Sequence, residues 1–148
     1  MGNFWQEVGS NKVLWIVVLS GVIAQGLKII RGVARKEKFS FSWLIDTGGM
    51  PSSHSAVVIS FAVCMGKELG YASPFFALGI LFAMITMFDA QTWRRSIGMQ
   101  AKILNKMMDD LHEKKRIEEN RLKELVGHTP VEVLMGALVG LIATFIFY

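Results

Sequence analysis

The apolar positions of the chain gather into four long runs, separated by polar stretches of very unequal length. Val13 to Ile30 is interrupted only by Ser20, Gln25 and Lys28 among its glycines and large apolar side chains. Ser52 to Leu69 is a second run with a polar opening turn, and Tyr71 to Phe88 is a third, almost free of polar groups. Val131 to Tyr148 is the fourth and carries Glu132 near its start. Each approaches the roughly 20 residues a helix needs to cross a bilayer. The pattern predicts an all-α integral membrane protein of about four transmembrane helices, at 13–30, 52–69, 71–88 and 131–148, forming one membrane-embedded domain over 1–148.

Residues 89–128 read differently. Ile97, Ala101, Leu104, Met108 and Leu111 recur at alternating spacings of four and three, which is one stripe of an amphipathic helix. Charges from Asp109 to Glu124 fill most other positions. A charged helix over about 94–125 is expected, solvated or laid against anionic headgroups.

Composition sharpens the picture. Hydrophobic residues make up 52% and mean hydropathy is +0.41 in spite of the charged stretch, so the average conceals membrane segments. Net charge is +4. In a membrane chain that excess speaks of orientation and anionic lipid, and no nucleic-acid partner is expected. The lone cysteine, Cys64, excludes an internal disulfide and sits in an apolar run, where packing is its expected role. The first apolar run is too long, and too poor in preceding basic residues, for a cleavable signal.

Four alternating crossings sort the loops onto two faces. All of the 16 Lys and Arg except Lys12 and Lys67 fall on, or at the edge of, the face that holds 31–54 and 89–128. The positive-inside rule puts that face in the cytoplasm of a multi-pass cell-membrane protein.

The unusual polar groups fall on that same face. Asp46 to Ala56 is polar and glycine-rich and opens into the second run, with Pro51 suited to a first helical position and Ser52, Ser53, His54 and Ser55 in the first turn. Helix starts bind anions through free N–H groups and the positive end of the dipole. The fourth run opens with Gly127-His128-Thr129-Pro130-Val131-Glu132, a capping box of Thr129 and Glu132 with His128 just outside. Two helix N-termini, each with one histidine, therefore point at one membrane face. Asp89 ends the third run, where the dipole disfavours an acid, so Arg94 or Arg95 is expected to pair with it. Gln25, Lys28 and Arg35 share a side of the first helix. These parts suit phosphoryl transfer, which needs cations and N–H donors around phosphate oxygens, a nucleophile in line and an acid for the leaving alcohol. The carboxylates do not cluster with histidine at metal-ligand spacing, so no metal site is expected.

The combination resembles the divergent branch of the type 2 phosphatidic acid phosphatase (PAP2) superfamily. The matching residues are Gln25 and Lys28, GGMPSSHSA at 48–56, Phe88-Asp89-Ala90 with Arg94, Arg95, Gln100 and Ala101, and ELVGHTPVEVLMGALVG at 124–140. Lys28 and Arg35 match the superfamily's Lys-x6-Arg-Pro motif at its spacing, with Lys36 in place of the proline. Pro51, Ser52 and His54 match Pro-Ser-Gly-His, with Ser53 for the glycine. His128 and Glu132 match the end of the third motif, with Glu for Asp, while Arg94 and Arg95 stand far upstream of it. The resemblance implies a PAP2-like helical core, His128 as a nucleophile that becomes phosphohistidine, and His54 as the acid. It gives Lys28, Arg35, Ser52, Ser53, Arg94 and Arg95 to the phosphate, with Glu132 orienting His128 and Gln25, Asp89 and Gln100 in support.

The reading is a metal-independent lipid phosphatase without a cofactor, whose partners are membrane lipids and a lipid phosphate of the phosphatidate, phosphatidylglycerol phosphate or prenyl-phosphate class; a homo-oligomer is compatible with it. The competing reading is a non-catalytic module that binds or translocates phospholipid headgroups with the same basic pocket. A third is a structural membrane subunit in which the caps are only caps.

Overall fold

A computed structural model describes residues 3–34, 49–112 and 127–148, the side chains of 93–95 and 110–112 excepted. They form six helices: α1 Phe4–Ser10, α2 Lys12–Ala34, α3 Ser53–Leu69, α4 Pro74–Gln91, α5 Trp93–His112 and α6 Pro130–Phe147. No strand occurs among the described residues. The all-α expectation holds.

Local chemistry sets the helix limits. Asn11 caps α2 by accepting the Leu14 N–H at 3.0 Å, and the Trp15 indole donates back to the Gly9 carbonyl at 3.1 Å, which fixes the corner with α1. The short α1 was not anticipated; its Phe4 and Trp5 are exposed, as aromatic side chains are at a membrane interface. The third helix starts three residues later than the hydrophobic pattern suggested. Tyr71–Ser73 is a turn, Ser73 accepts the Phe76 N–H at 3.2 Å, and Pro74 takes the first helical position. Thr129 and Glu132 form the expected capping box of α6. Pro51 is displaced from its expected place: Ser52 is the N-cap of α3 and Pro51 precedes it.

Among the described residues, three stretches are long and apolar enough to cross a membrane: Lys12–Ala34, Pro74–Asp109 and Pro130–Phe147. Leu78, Leu81, Ile85 and Phe88 of α4 and Leu134, Leu138 and Ile142 of α6 are exposed, an apolar surface suited to lipid. The second expected span, α3, has 17 residues and a polar first turn, and it is not among the three. It lies between the others, buried by protein, with Ser55, Ala56, Ser60, Ala62, Cys64 and Gly66 inside.

Small residues let each neighbour approach α3 closely. Against α2, Ser20 Oγ donates to the Ala56 carbonyl at 3.4 Å and to Val17 at 2.7 Å, and Gly21 faces Val57. Against α4, Gly79 packs on Ala62. The contact with α6 is the tightest and runs parallel. Gly136 abuts the Ser52 carbonyl, Gly140 the Ala56 carbonyl, and Thr144 Oγ1 donates to Ser60 Oγ at 2.8 Å. One offset of 84 positions relates all three pairs. Two parallel helices so close must start side by side.

In α5 the helix expected from the period is present, and its buried side takes in only part of the apolar stripe. Gly98, Ala101 and Asn105 are buried and Met108 is half-buried, whereas Ile97 and Leu104 of the expected stripe are exposed. Close packing selects the small side chains, and the large apolar ones turn outward. The side chain of Leu111, and the part of the expected charged helix from 113 to 125, lie outside what the structure describes.

Candidate active site

Ser52 begins the site because it fixes the start of α3. It is fully buried, and its Oγ accepts the Ser55 N–H at 3.4 Å and the Ser55 hydroxyl at 3.1 Å. Its own N–H donates to the Glu132 carbonyl at 3.0 Å, which ties the first turn of α3 to the first turn of α6. Ser53 and His54 follow as the first two helical residues, both half-buried.

His128 arrives from the other side. Gly127, at φ 111°, makes the turn that delivers it, a conformation that glycine adopts freely. The His128 N–H donates to the Ala90 carbonyl at 2.9 Å, so the C-terminal end of α4, next to Asp89, anchors the loop. The His54 and His128 ring centroids are 6.3 Å apart, with planes at 56°. The two histidines that sequence placed on one face are therefore neighbours.

The carboxylate of Glu132 does two jobs. Its Oε2 accepts the Thr129 N–H at 2.8 Å and stands 3.5 Å from His128 Nδ1. The second distance is long for a hydrogen bond, so the interaction with the ring is mainly electrostatic. His128 is 2% exposed, and neither ring nitrogen has a hydrogen-bond partner within the protein. Leaving a buried polar group unsatisfied costs about 1–3 kcal/mol, so such nitrogens are met by water, an ion, a ligand or a reacting group. Burial pushes the His128 imidazole below its ordinary value; Glu132 pulls it up, while Lys28 and His54 push it down. The ring is thus held neutral, with Nδ1 toward Glu132 and Nε2 available.

Lys28 is half-buried on α2, and its stem lies about 3.6 Å from the place a side chain at Gly49 would occupy. Gly49 has φ 88°, so the glycine both makes the turn and leaves room for the lysine to pass. Gln25 is half-buried one turn earlier on α2, and Asp89 is half-buried on α4. Gln100 is exposed on α5. Arg35 lies outside the described residues, as do the side chains of Arg94 and Arg95, so the expected pairing of Asp89 and the arginine share of the phosphate site fall there too.

The sequence reading missed the framework beneath these groups: the Ala90 carbonyl, the Ser52–Glu132 bond, Ser55, and Gly136 with Gly140. A signal existed for the last pair, because two glycines four apart in an apolar run mark a close helix contact.

Comparison with known proteins gives one consistent result. Residues 9–143 match the model of a family described as the divergent PAP2 family. The chain is 37% identical over 151 residues to "Uncharacterized membrane protein YuiD" of Bacillus subtilis (strain 168), a match covering 95% of this chain and 96% of that one. No solved structure matches.

Proposed function

The chain belongs to the divergent PAP2 family of membrane proteins, and from that premise we propose that it is a phosphatase of lipid phosphates, with His128 as nucleophile and His54 as acid. The observation that carries the reading is the histidine pair, 6.3 Å apart at two adjacent helix N-termini, with Nε2 of the buried ring unpartnered. The neutral Nε2 of His128 attacks phosphorus. The ester P–O bond breaks as the leaving oxygen takes a proton from His54, giving a phosphohistidine. Water, deprotonated by His54, then breaks the P–N bond and releases inorganic phosphate. Lys28 and the positive ends of α3 and α6 offset charge on the phosphate oxygens. Arg35, Ser53, Arg94 and Arg95 are proposed to join them from the family correspondence.

The test is phosphate release by the purified protein against a panel of phosphatidate, phosphatidylglycerol phosphate and prenyl phosphates. Release from one or more is expected; its absence across the panel, with headgroup binding intact, would favour the binding module. Histidines and cations provide the nucleophile, the acid and the charge in this mechanism, so turnover should survive EDTA and be inhibited by vanadate, an analogue of five-coordinate phosphorus. Loss in EDTA with recovery on adding Mg²⁺ would refute this mechanism.

We further propose that α3 crosses the membrane with its three neighbours and that the histidines face the cytoplasm, because the basic loops share their face. In a Cys64→Ala background, cysteines replacing Lys38 and Glu119 should resist an impermeant thiol reagent on intact cells, and one replacing Lys67 should react. The reverse pattern would invert the orientation and move the substrate to the outer leaflet.

A further inference from the structure

The stretch Pro74–Asp109 is too long for one crossing. Its 36 residues would run about 54 Å as a helix, against a hydrocarbon core of about 30 Å. The 18 residues of α4 already cover about 27 Å, so the crossing is complete where α4 ends. That end stands beside the histidines, since the Ala90 carbonyl holds the His128 N–H. α5 therefore begins at the bilayer surface on the histidine side. Thr92 is the joint between the two helices. Its N–H and its hydroxyl both donate to the Phe88 carbonyl, at 3.0 and 2.7 Å, an arrangement that bends helices.

Around α5, three sides separate. Gly98, Ala101 and Asn105 are buried in the protein, within an arc of about 60°. Lys102, Lys106 and Asp109 are exposed and share a second arc of about 60°. Ile97, Met99, Ile103, Leu104 and Met107 are exposed over a third arc, about 160° wide. From Ser96 to Met107, the polar members of that arc are the uncharged Ser96 and Gln100. Leu104 and Ile97 lie nearly opposite the charged side. The width of the apolar arc selects its surroundings. Water would leave all five large side chains unburied. A second α5, packed as a coiled coil, would cover the narrow seam of Ile97, Leu104 and Met107 and leave Met99 and Ile103 outside. A lipid surface covers the whole arc, and it offers phosphate and water to the lysines on the opposite side at the same time.

We infer that α5 is an interfacial helix, and that its partner is the phospholipid surface on the histidine side. It lies in the plane of the bilayer, with Ile97 and Leu104 deepest in hydrocarbon and Lys102 and Lys106 at the level of the lipid phosphates. Such helices sink about 5–10 Å into the boundary between headgroups and acyl chains. The end of α4 is thereby held at headgroup depth, and with it, through Ala90, the loop that carries His128. A membrane lipid presents its phosphate at that same depth. The inference does not depend on the phosphatase reading, because it rests on the sides of α5 and the length of α4.

The test uses the full chain in nanodiscs of equal parts phosphatidylcholine and phosphatidylglycerol. In a Cys64→Ala background, single cysteines along α5 carry a nitroxide. Its collisions with oxygen, which concentrates in hydrocarbon, are compared with those of a water-soluble nickel chelate. Oxygen should dominate at Ile97, Ile103, Leu104 and Met107, and the chelate at Lys102 and Lys106, so the ratio inverts twice per helical turn. Ile103→Glu with Met107→Glu should shift the label at Leu104 toward the chelate and leave thermal stability unchanged, because both side chains are exposed. Should that variant fail to fold, the series of single labels decides the matter. Chelate dominance at Ile103 and Leu104 would overturn the inference in favour of a solvated helix. Oxygen dominance at Lys102 and Lys106 as well would place α5 inside the hydrocarbon and overturn it too. Exclusion of both reagents from Ile97, Leu104 and Met107, with spin–spin broadening between copies, would assign the face to a second copy instead. An unmoved Leu104 label in the folded double variant would also refute it.

Discussion

His128→Ala should abolish phosphate release from every substrate the protein accepts, while the bundle stays folded. Removing the nucleophile takes away the covalent route, and a loss well beyond ~100-fold is expected. His54→Ala should behave differently. Losing a general acid costs about 10²–10⁴-fold on an ester with a poor leaving group. On an aryl phosphate, whose leaving group needs no proton, formation of the phosphohistidine should recover, while its hydrolysis, which uses His54 as the base, stays slow. Acid quenching should trap phosphate on the His54→Ala protein and none on His128→Ala. Near-normal turnover in both variants would remove the catalytic reading and leave headgroup binding. The acidity of His128 adds a pH signature. Its folded value lies below the ordinary 6.5 because burial disfavours the imidazolium. The nucleophile therefore stays neutral as pH falls through 6.5, and the acid limb of kcat/KM should lie below that value. Stability follows the same sign: the contribution of His128 is complete above 6.5 and declines as pH drops from there toward the folded value, because the unfolded chain binds the proton first.

The second large effect is expected where no chemistry occurs. A Cβ added at Gly136 would stand 2.2 Å from the Ser52 carbonyl oxygen and 2.9 Å from Ser55 Cβ. Neither neighbour has a flexible end that can swing away, so the helices must separate. Overpacking of this kind costs about 1–3 kcal/mol. The same separation pulls Ser52 from Glu132 and moves His54 relative to His128, and a misplacement near 1 Å lowers turnover by about 10²-fold. Gly136→Ala should therefore lower both thermal stability and kcat, with Gly140→Ala acting in the same direction through the Ala56 carbonyl at 2.2 Å. Gly26→Ala on α2 is the control, because nothing lies within 4 Å of its added methyl. Wild-type stability and turnover in Gly136→Ala would show that the helix contact does not set the site.

What the sequence revealed and what it hid follow from the range of the forces involved. Runs of apolar residues report the lipid they face, so α2, α4 and α6 were legible, and caps report local hydrogen bonds, so Thr129 with Glu132 was too. The course of α3 was harder to read because protein, not lipid, surrounds it; its small and hydroxylated residues lower its apolarity for the sake of contact. The histidines could be placed on one face by counting crossings, but their proximity required the parallel contact with α6. The period of α5 was legible, but which side of it packs was not, because Gly98 and Asn105 carry no apolar signal and yet lie buried beside Ala101. Pro51 was read two positions too far along because proline at a helix start and proline just before a capping serine look alike in sequence.

The contact between α3 and α6 has one more consequence. Its small residues recur every four positions on both helices, so the surface is nearly self-similar under a shift of about one turn, some 6 Å. Smooth rows alone would accept that shift, placing Gly140 opposite Ser52. The fasteners that do not repeat are the Ser52 N–H on Glu132, the Thr144 hydroxyl on Ser60 and the His128 N–H on Ala90. They select one notch from a ladder of equivalent ones. The meeting of the two imidazoles accordingly depends on register: a slip by one notch would carry them about a full helical turn apart.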